Sequence, residues 1–489
     1  MNDKRNKLAL LTDLYELTMM QGYYLTNPEQ QAVFEVFFRR QPFNSGFAIF
    51  AGLDPLIDTI VDMRFSDDDI NYLKSLKMFG EQFLDYLRSY QFFGDICAMK
   101  EGSVVFPNEP LIRVQANLLE AQLLESIVLN MINFQTLVAT KAARVVAAAN
   151  GGAVIEFGLR RAHGIDGAIS ATRAAYIGGA SATSNVMAGA LFNIPPKGTM
   201  AHSWVMSFDN ELRAFERYAE LYPDNCVLLI DTYDTLKTGL PNAIKVFKKL
   251  KKKGYTGFGI RLDSGDLEYL SKRAREMLNK NNLEEVKIYA SNELDEWIIN
   301  QIVKNGAPID AWGVGSKIVT ADKDSSLTGV YKLAAKTDGK ELHPVIKISN
   351  NPEKITNPGI KNILRFYDRD GMIQADLIYL EEEENELMRI VEKKQPITFH
   401  HPSLEHVRFN CAGYSKATIL LTPVVIKGKR CVEPVSLQEI QAYAMKEMNR
   451  LDQTYKRLIN PHIYKVSIST CLKTLKTNLI KNMGLGTGD

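Results

Sequence analysis

Residues 257–292 read GFGIRLDSGDLEYLSKRAREMLNKNNLEEVKIYASN, and this stretch decides the fold. GFGIRLDS is a short apolar run that reads as strand, GDLEYLSKRAREMLNK carries apolar residues at helical spacing, and KIYASN returns to strand. Upstream the same rhythm recurs. AVIEFG (153–158) precedes LRRAHG, and AAYIGG (174–179) precedes ASATSNVMAG. MAHSWVM (200–206) precedes the helical FDNELRAFERYAELY, and VLLID (227–231) runs through TYDT into PNAIKVFKKLKKKG. Downstream, ELDEWIINQIVKNG leads to AWGVG (311–315) and SKIVTA.

Seven strand–helix units in series favour a parallel sheet with right-handed crossovers. A doubly wound sheet and a barrel both satisfy the pattern. The barrel is the expectation, because Arg160, His202, Asp231, Asp263, Asn292 and Ser316 sit at or just past strand ends. A barrel gathers such ends at one mouth, whereas an open sheet spreads them along a line. Architecture leaves the reaction open.

The flanks have other rhythms. Residues 11–26 read as an amphipathic helix, AVFEVFFRRQP as a strand buried on both faces, and 54–93 as several helices. They predict an α/β amino-terminal domain over 1–140, an α/β barrel over 141–330 and a mixed carboxyl-terminal extension over 331–489, the last with hairpin-like strands and terminal helices. The acidic run EEEENE (381–386) reads as a solvated loop.

With 489 residues, 45% hydrophobic and 24% charged, the chain is globular and exceeds one core. Fifty-nine Lys and Arg against 57 Asp and Glu leave +2, so no global field draws nucleic acid and any anion needs a local site. Five scattered cysteines without CxxC spacing fit reduced thiols in a cytoplasmic protein. The basic start has no apolar core or cleavage signal, and no run of 18 apolar residues follows; no membrane partner is expected.

Five segments carry candidate chemistry, most with a bland counterpart. In GTMAHSW (198–204), His202 reads as mid-strand, where a satisfied structural histidine is the commoner finding. Asp231, in LLIDTYDT, would hold one ring nitrogen and leave the other nucleophilic; the alternative is a helix cap or turn. In RLDSGD (261–266), Arg261 offers a planar fork for a carboxylate or phosphate and Asp263 suits vicinal hydroxyls. Ser264 and Gly265 open a helix whose free N–H groups favour anions; a capped surface helix explains them equally. WGVGS (312–316) suits a phosphate after a last barrel strand. EFGLRRAHG (156–164) offers the Phe157 ring for stacking and Arg160, Arg161 and His163 for a polyanion, or else a basic turn. There is no Walker loop, Rossmann fingerprint or metal cluster. The residues alone support an enzyme for a phosphorylated, ribose-containing substrate.

Taken together, TDLYELTM (12–19), FEVFFRRQP (34–42), EFGLRRAHG, IGGASATSNV (177–186), GTMAHSW, IDTYDT, RLDSGD, YASNELDE, GVGS and NPHIYKVSIS (460–469) resemble nicotinate phosphoribosyltransferases along essentially the whole chain. The resemblance implies an irregular, incomplete α/β barrel with an amino-terminal α/β domain, paired into homodimers. It implies transfer of a phosphoribosyl group from 5-phosphoribosyl 1-pyrophosphate to nicotinate, driven by ATP through a phosphohistidine, with Mg2+ entering on pyrophosphate or ATP. His202 would be the phosphorylated residue and Asp231 its orienting carboxylate. Phe157, and Tyr15 from the neighbouring subunit, would sandwich the pyridine. Arg261 would meet the nicotinate carboxylate, Asp263 the ribose hydroxyls and Arg160 the phosphates, with Ser264 and His163 among the further substrate-binding residues. Gly315 and Ser316 would take the 5′-phosphate, with Asn292 at a matching strand end; relatives often carry Thr where Ser316 keeps the hydroxyl.

Nicotinamide-specific cousins place an aspartate after the strand equivalent to AAYIGG, at a position that reads here as Ala180. An aspartate would repel a carboxylate, so alanine favours nicotinate. A quinolinate-type enzyme would need basic residues for a second carboxylate and no ATP. A silent, ligand-binding barrel need not keep His202, Asp231, Arg261 and Asp263 together.

Overall fold

The computed structural model describes residues 8–482 apart from 352, 353, 403 and 405; the basic start examined for a targeting signal, 1–7, lies outside them. The chain divides into two compact units, 138–325 and 1–137 with 326–489.

The first unit is built on six strands: β1 (Ala153–Glu156), β2 (Ala182–Thr183), β3 (Cys226–Leu229), β4 (Phe258–Leu262), β5 (Lys287–Asn292) and β6 (Ala311–Val314). They are all parallel, in the order β2-β1-β6-β5-β4-β3, and curl into an incomplete barrel. Pairing puts Leu229, Arg261, Tyr289, Ala311 and Ala153 in one row, and Ser291, Gly313, Ile155 and Ala182 in another nearer the strand ends. Since strand side chains alternate with a period of two, the residues between these rows point the other way. Val154, Leu228, Ile260, Leu262, Ile288, Trp312 and Val314 are all buried, each contributing about 1.5–3 kcal/mol on an ordinary transfer scale.

Two of the seven expected strands are helical. AAYIGG is the last turn of the helix Gly164–Ile177, ended by Gly178 and by Gly179 at φ 102°, and the strand begins beyond it at Ala182. MAHSWVM forms the short helix His202–Met206, so His202 begins a helix rather than sitting mid-strand. Trp204 Nε1 donates to Ala214 O at 3.1 Å, tying this turn to the helix Glu211–Leu221. The chain between edge strands β2 and β3 therefore supplies helices where a further strand would have closed the barrel.

In the other unit, Gln31–Phe38 lies between Ile112–Asn117 and Gly329–Asp338, antiparallel to both, so the chain past residue 326 returns into a sheet begun by the amino-terminal third. A second sheet holds the hairpin Lys361–Tyr367 and Ile373–Leu380. At its centre Arg365 Nη2 meets Asp376 Oδ2 at 2.7 Å and Nη1 lies 3.4 Å from Glu447 Oε2, all buried. EEEENE is not a loop: Glu381–Glu383 form a 3-10 turn leading into the helix Glu384–Glu392. Carboxylates suit that helix end electrostatically, and Glu381 pairs with Arg113 at 2.8 Å while Glu384 accepts from Tyr379 Oη at 2.7 Å.

Candidate active site

Parallel strands end on one side, so the segments after β1, β3, β4, β5 and β6 meet at one mouth. Beneath it lies a cavity of about 320 Å³, lined by the concave row residues other than Leu229, by Phe157 and Ser181, and by Pro195, Lys197, Gly198 and Thr199 of one loop. Alanine, glycine and serine on that face leave the space, whose volume falls in the usual range for small-molecule sites.

Arg261 reaches into this cavity from β4 with its side chain 16% exposed. Nη1 donates to Thr199 Oγ1 at 2.6 Å and to Met200 O at 3.4 Å, and Nη2 lies 3.4 Å from Asp263 Oδ1. Its Nε is buried with no partner among the described residues. A guanidinium N–H left over at a cavity wall is a donor for a ligand acceptor.

His202 is half-buried. Nδ1 lies 3.1 Å from Thr232 Oγ1, and Nε2 lies 3.8 Å from Asp263 Oδ2, too far for a hydrogen bond. The carboxylate expected to hold it, Asp231, is turned elsewhere: its Oδ2 accepts from Asp263 N at 2.8 Å and Ser264 Oγ at 2.6 Å. Asp231 braces the start of the RLDSGD loop because strand β3 ends one residue before Ile230, which pairs with Arg261, and so points the next side chain at β4's continuation. Its Oδ1 is buried without a partner among the described residues. Thr232 and Asp263 are the groups beside the imidazole. Asp263 is itself held by Ser291 Oγ on β5, which donates to its Oδ1.

The two glycine-bearing loops interlock. Phe157 N donates to Val314 O at 2.9 Å. A Cβ on Gly313 would stand 2.5 Å from the Phe157 ring, and one on Gly315 2.9 Å from Phe157 O, so both glycines are required by close approach. The helices after β3, β4 and β5 have aspartate caps, Asp234, Asp266 and Asp295, whose side chains accept backbone N–H, and Asn185 caps the helix after β2. The helix Gly164–Ile177, after His163, and the short turn Ser316–Val319, after Gly315, have no side-chain cap. Arg160, Arg161 and His163 are exposed beside the first. Ser316 Oγ lies 3.4 Å from Glu293 Oε1. Asn292 has φ 142° and accepts Glu293 N at 2.8 Å with its own side chain, a strained turn at the mouth.

Tyr15 belongs to the other unit, on the helix Leu14–Thr26, and is 49% exposed. Burial first, then the carboxylates of Glu125, Glu16 and Asp13, push its phenol up to about 12.

Models of the nicotinate phosphoribosyltransferase N-terminal domain, family and C-terminal domain match residues 10–133, 153–376 and 360–476 in turn. The nicotinate phosphoribosyltransferase of Bacillus subtilis (strain 168) is 43% identical over 95% of this chain and 94% of its own. The chain belongs to the nicotinate phosphoribosyltransferase family. The Caenorhabditis elegans member is 36% identical over 98% of this chain and 94% of its own. The crystal structure of human nicotinic acid phosphoribosyltransferase superposes with a TM-score of 0.82 at 31% identity, covering 96% of this chain and 100% of that one. A nicotinate-nucleotide pyrophosphorylase from Pyrococcus furiosus, at 21% identity and TM-score 0.69, shares the fold.

The position read as that of the cousins' aspartate does not face the cavity. Ala180 is buried at the end of the helix Gly164–Ile177 and does not line the cavity; its neighbour Ser181 does, donating Oγ to Val154 O at 3.0 Å. Residue reading also missed Thr199, Thr232 and Ser291. Thr232 adjoins Asp231 and Ser291 is the penultimate residue of KIYASN, so strand-end position was the available signal; Thr199 lies in an irregular loop that carries none.

Proposed function

We propose that the chain transfers the phosphoribosyl group of 5-phosphoribosyl 1-pyrophosphate to nicotinate, forming nicotinate mononucleotide and pyrophosphate for NAD salvage. Family membership supports the reaction, and the observation that carries the substrate reading is Arg261 at the wall of a small cavity beside Phe157, its buried Nε without a partner among the described residues. The nicotinate carboxylate takes that donor while the pyridine lies on Phe157. Tyr15 of a neighbouring subunit closes the other face, in a cytoplasmic homodimer. Asp263 and Ser264 face the ribose, Arg160 and His163 the pyrophosphate, and Gly315 with Ser316 the 5′-phosphate at an uncapped turn.

The pyridine nitrogen attacks C1′ as the bond to pyrophosphate breaks. Little proton movement is needed, so positioning and charge stabilisation do the work. Among the described residues no group of three or more His, Cys, Asp or Glu could cage a metal. Mg2+ would be held mainly by phosphate oxygens, with Asp231 Oδ1, buried and without a partner among the described residues, a candidate acceptor; bound there, it would neutralise pyrophosphate charge.

ATP enters through His202. With Nδ1 beside Thr232, Nε2 is the nitrogen without a hydrogen bond. It attacks the γ-phosphorus, ADP leaves with the bond electrons, and water later cleaves the N–P bond to release phosphate. Incubation with nicotinate, nicotinamide or quinolinate, with and without ATP, tests the whole reading. Nicotinate mononucleotide from nicotinate alone, stimulated by ATP in the wild type and not in His202→Ala, is expected. Carbon dioxide from quinolinate, or equal turnover of nicotinamide, would replace it.

A further inference from the structure

We infer that Glu156 is a positioning residue for this reaction, a buried carboxylate that sets the loop presenting Phe157 and Arg160; the inference rests on the transferase reading above.

Glu156 is the last residue of β1 and is 1% exposed, with no ion-pair partner among the described residues. Its charge is met by uncharged donors from three directions. Oε1 accepts the backbone N–H of Gly158. Oε2 lies 2.7 Å from Thr183 Oγ1 on β2 and 2.9 Å from Thr172 Oγ1 on the helix Gly164–Ile177. The one proton of the Thr172 hydroxyl is shared with Ala168 O, also at 2.9 Å. Thr183 Oγ1 already accepts Asn185 N at 3.0 Å, so its own proton turns toward the carboxylate. Asn185 Nδ2 also reaches Thr172 Oγ1 at 3.4 Å. Glu156, Thr172, Thr183 and Asn185 are all buried.

A network of this kind is more than the fold requires at a strand end, where apolar packing would serve. Its geometric consequence falls on the site. The Gly158 N–H is the first backbone group past Phe157, and fixing it fixes the peptide between them. Gly158 is already pressed against Val319, since a Cβ there would stand 2.3 Å from Val319 Cγ1. Gly315, in turn, sits against Phe157 O. Held from below by Glu156 and from the side by the Gly315 loop, the Phe157 ring lies over Gly313 and the 3-10 turn Leu159–Arg161 leaves in one direction. A carboxylate suits this place because it only accepts, and the Gly158 N–H and both threonine hydroxyls can donate.

The test is steady-state kinetics of Glu156→Leu, Glu156→Gln and Glu156→Asp beside the wild type. The leucine removes the acceptor at similar volume. It should raise KM for both nicotinate and 5-phosphoribosyl 1-pyrophosphate about tenfold, the scale of one hydrogen bond to a charged group, with kcat within about threefold. Glutamine keeps a carbonyl oxygen for Gly158 while the threonine hydroxyls can turn to accept its amide, so it should restore both KM values to within about threefold. Aspartate falls one methylene short of Gly158 and should show the leucine pattern more weakly; it also serves if the leucine variant does not fold. Wild-type KM values in the aspartate variant, or kcat and melting temperature falling together with KM unchanged, would overturn the inference. A wild type that makes no nicotinate mononucleotide would instead sink the transferase reading.

Discussion

Arg261 and Arg365 are both largely buried arginines facing an aspartate, yet they spend their donors differently. Arg365 is consumed within the protein: Nε lies 3.0 and 3.1 Å from the two oxygens of Asp376, Nη2 takes the same carboxylate, and Nη1 points at Glu447. Arg261 makes its contacts through Nη1 and Nη2 and keeps Nε unpartnered beside a cavity. A guanidinium whose fork is closed by protein holds a sheet together. One with an N–H left over is prepared for something that arrives from outside.

The comparison breaks most easily at Arg365. Arg365→Met strands Asp376 and Glu447 in the core and should cost about 3–5 kcal/mol in denaturant unfolding, with KM for nicotinate unchanged. A kinetic defect at full stability would erase the distinction. Arg261→Ala should do the reverse. Loss of charged hydrogen bonds worth about 1.5–3 kcal/mol raises KM for nicotinate roughly 10- to 100-fold, with little change in melting temperature.

Ser181 and Ala180 sharpen the same contrast one residue apart. Ser181→Asp places a negative charge on the cavity wall and should lower kcat/KM for nicotinate about tenfold while shifting preference toward nicotinamide. Ala180→Asp buries a carboxylate in helix packing, so its expected signature is poor folding rather than altered preference. The smallest effect concerns Glu109 beside the Arg365 cluster. Burial, then the neighbouring Asp376, hold its carboxyl well above the ordinary 4.5. Because the folded value is raised, the stability contributed by the bound proton is complete below the ordinary value and disappears as pH climbs through the raised one. Glu109→Gln should therefore flatten the decline of melting temperature with rising pH; an unchanged slope contradicts the assignment.

Much of the parallel unit is legible in sequence because GFGIRLDS, KIYASN and AWGVG each carry a short apolar run that stops at polar residues. MAHSWVM misleads for the same reason: a short apolar run does not reveal its period, and only its place between the two edge strands makes it helical. AAYIGG misleads because Gly164 and Gly167 weaken the helical look of the segment that leads into it. Strand-end position was enough to single out Asp263, with Arg261 two residues before it in the same motif, whereas His202 stands out within a run that reads as strand and folds as the start of a helix. Strand-end position was not enough to pair Asp231 with His202, because the direction of a side chain past a strand end depends on register and stagger. Glu156 carries no such signal within AVIEFG, its three donors lying 2, 16 and 27 positions away.

The central claim is that the mouth of the incomplete barrel receives nicotinate through the spare donor of Arg261. A crystal structure of the protein with nicotinate mononucleotide addresses it most directly. The account predicts the carboxylate at about 3 Å from Arg261 Nε, the pyridine on the Phe157 ring and the 5′-phosphate at Gly315 and Ser316. A ring bound away from Phe157, with Arg261 Nε still unpartnered, would contradict it.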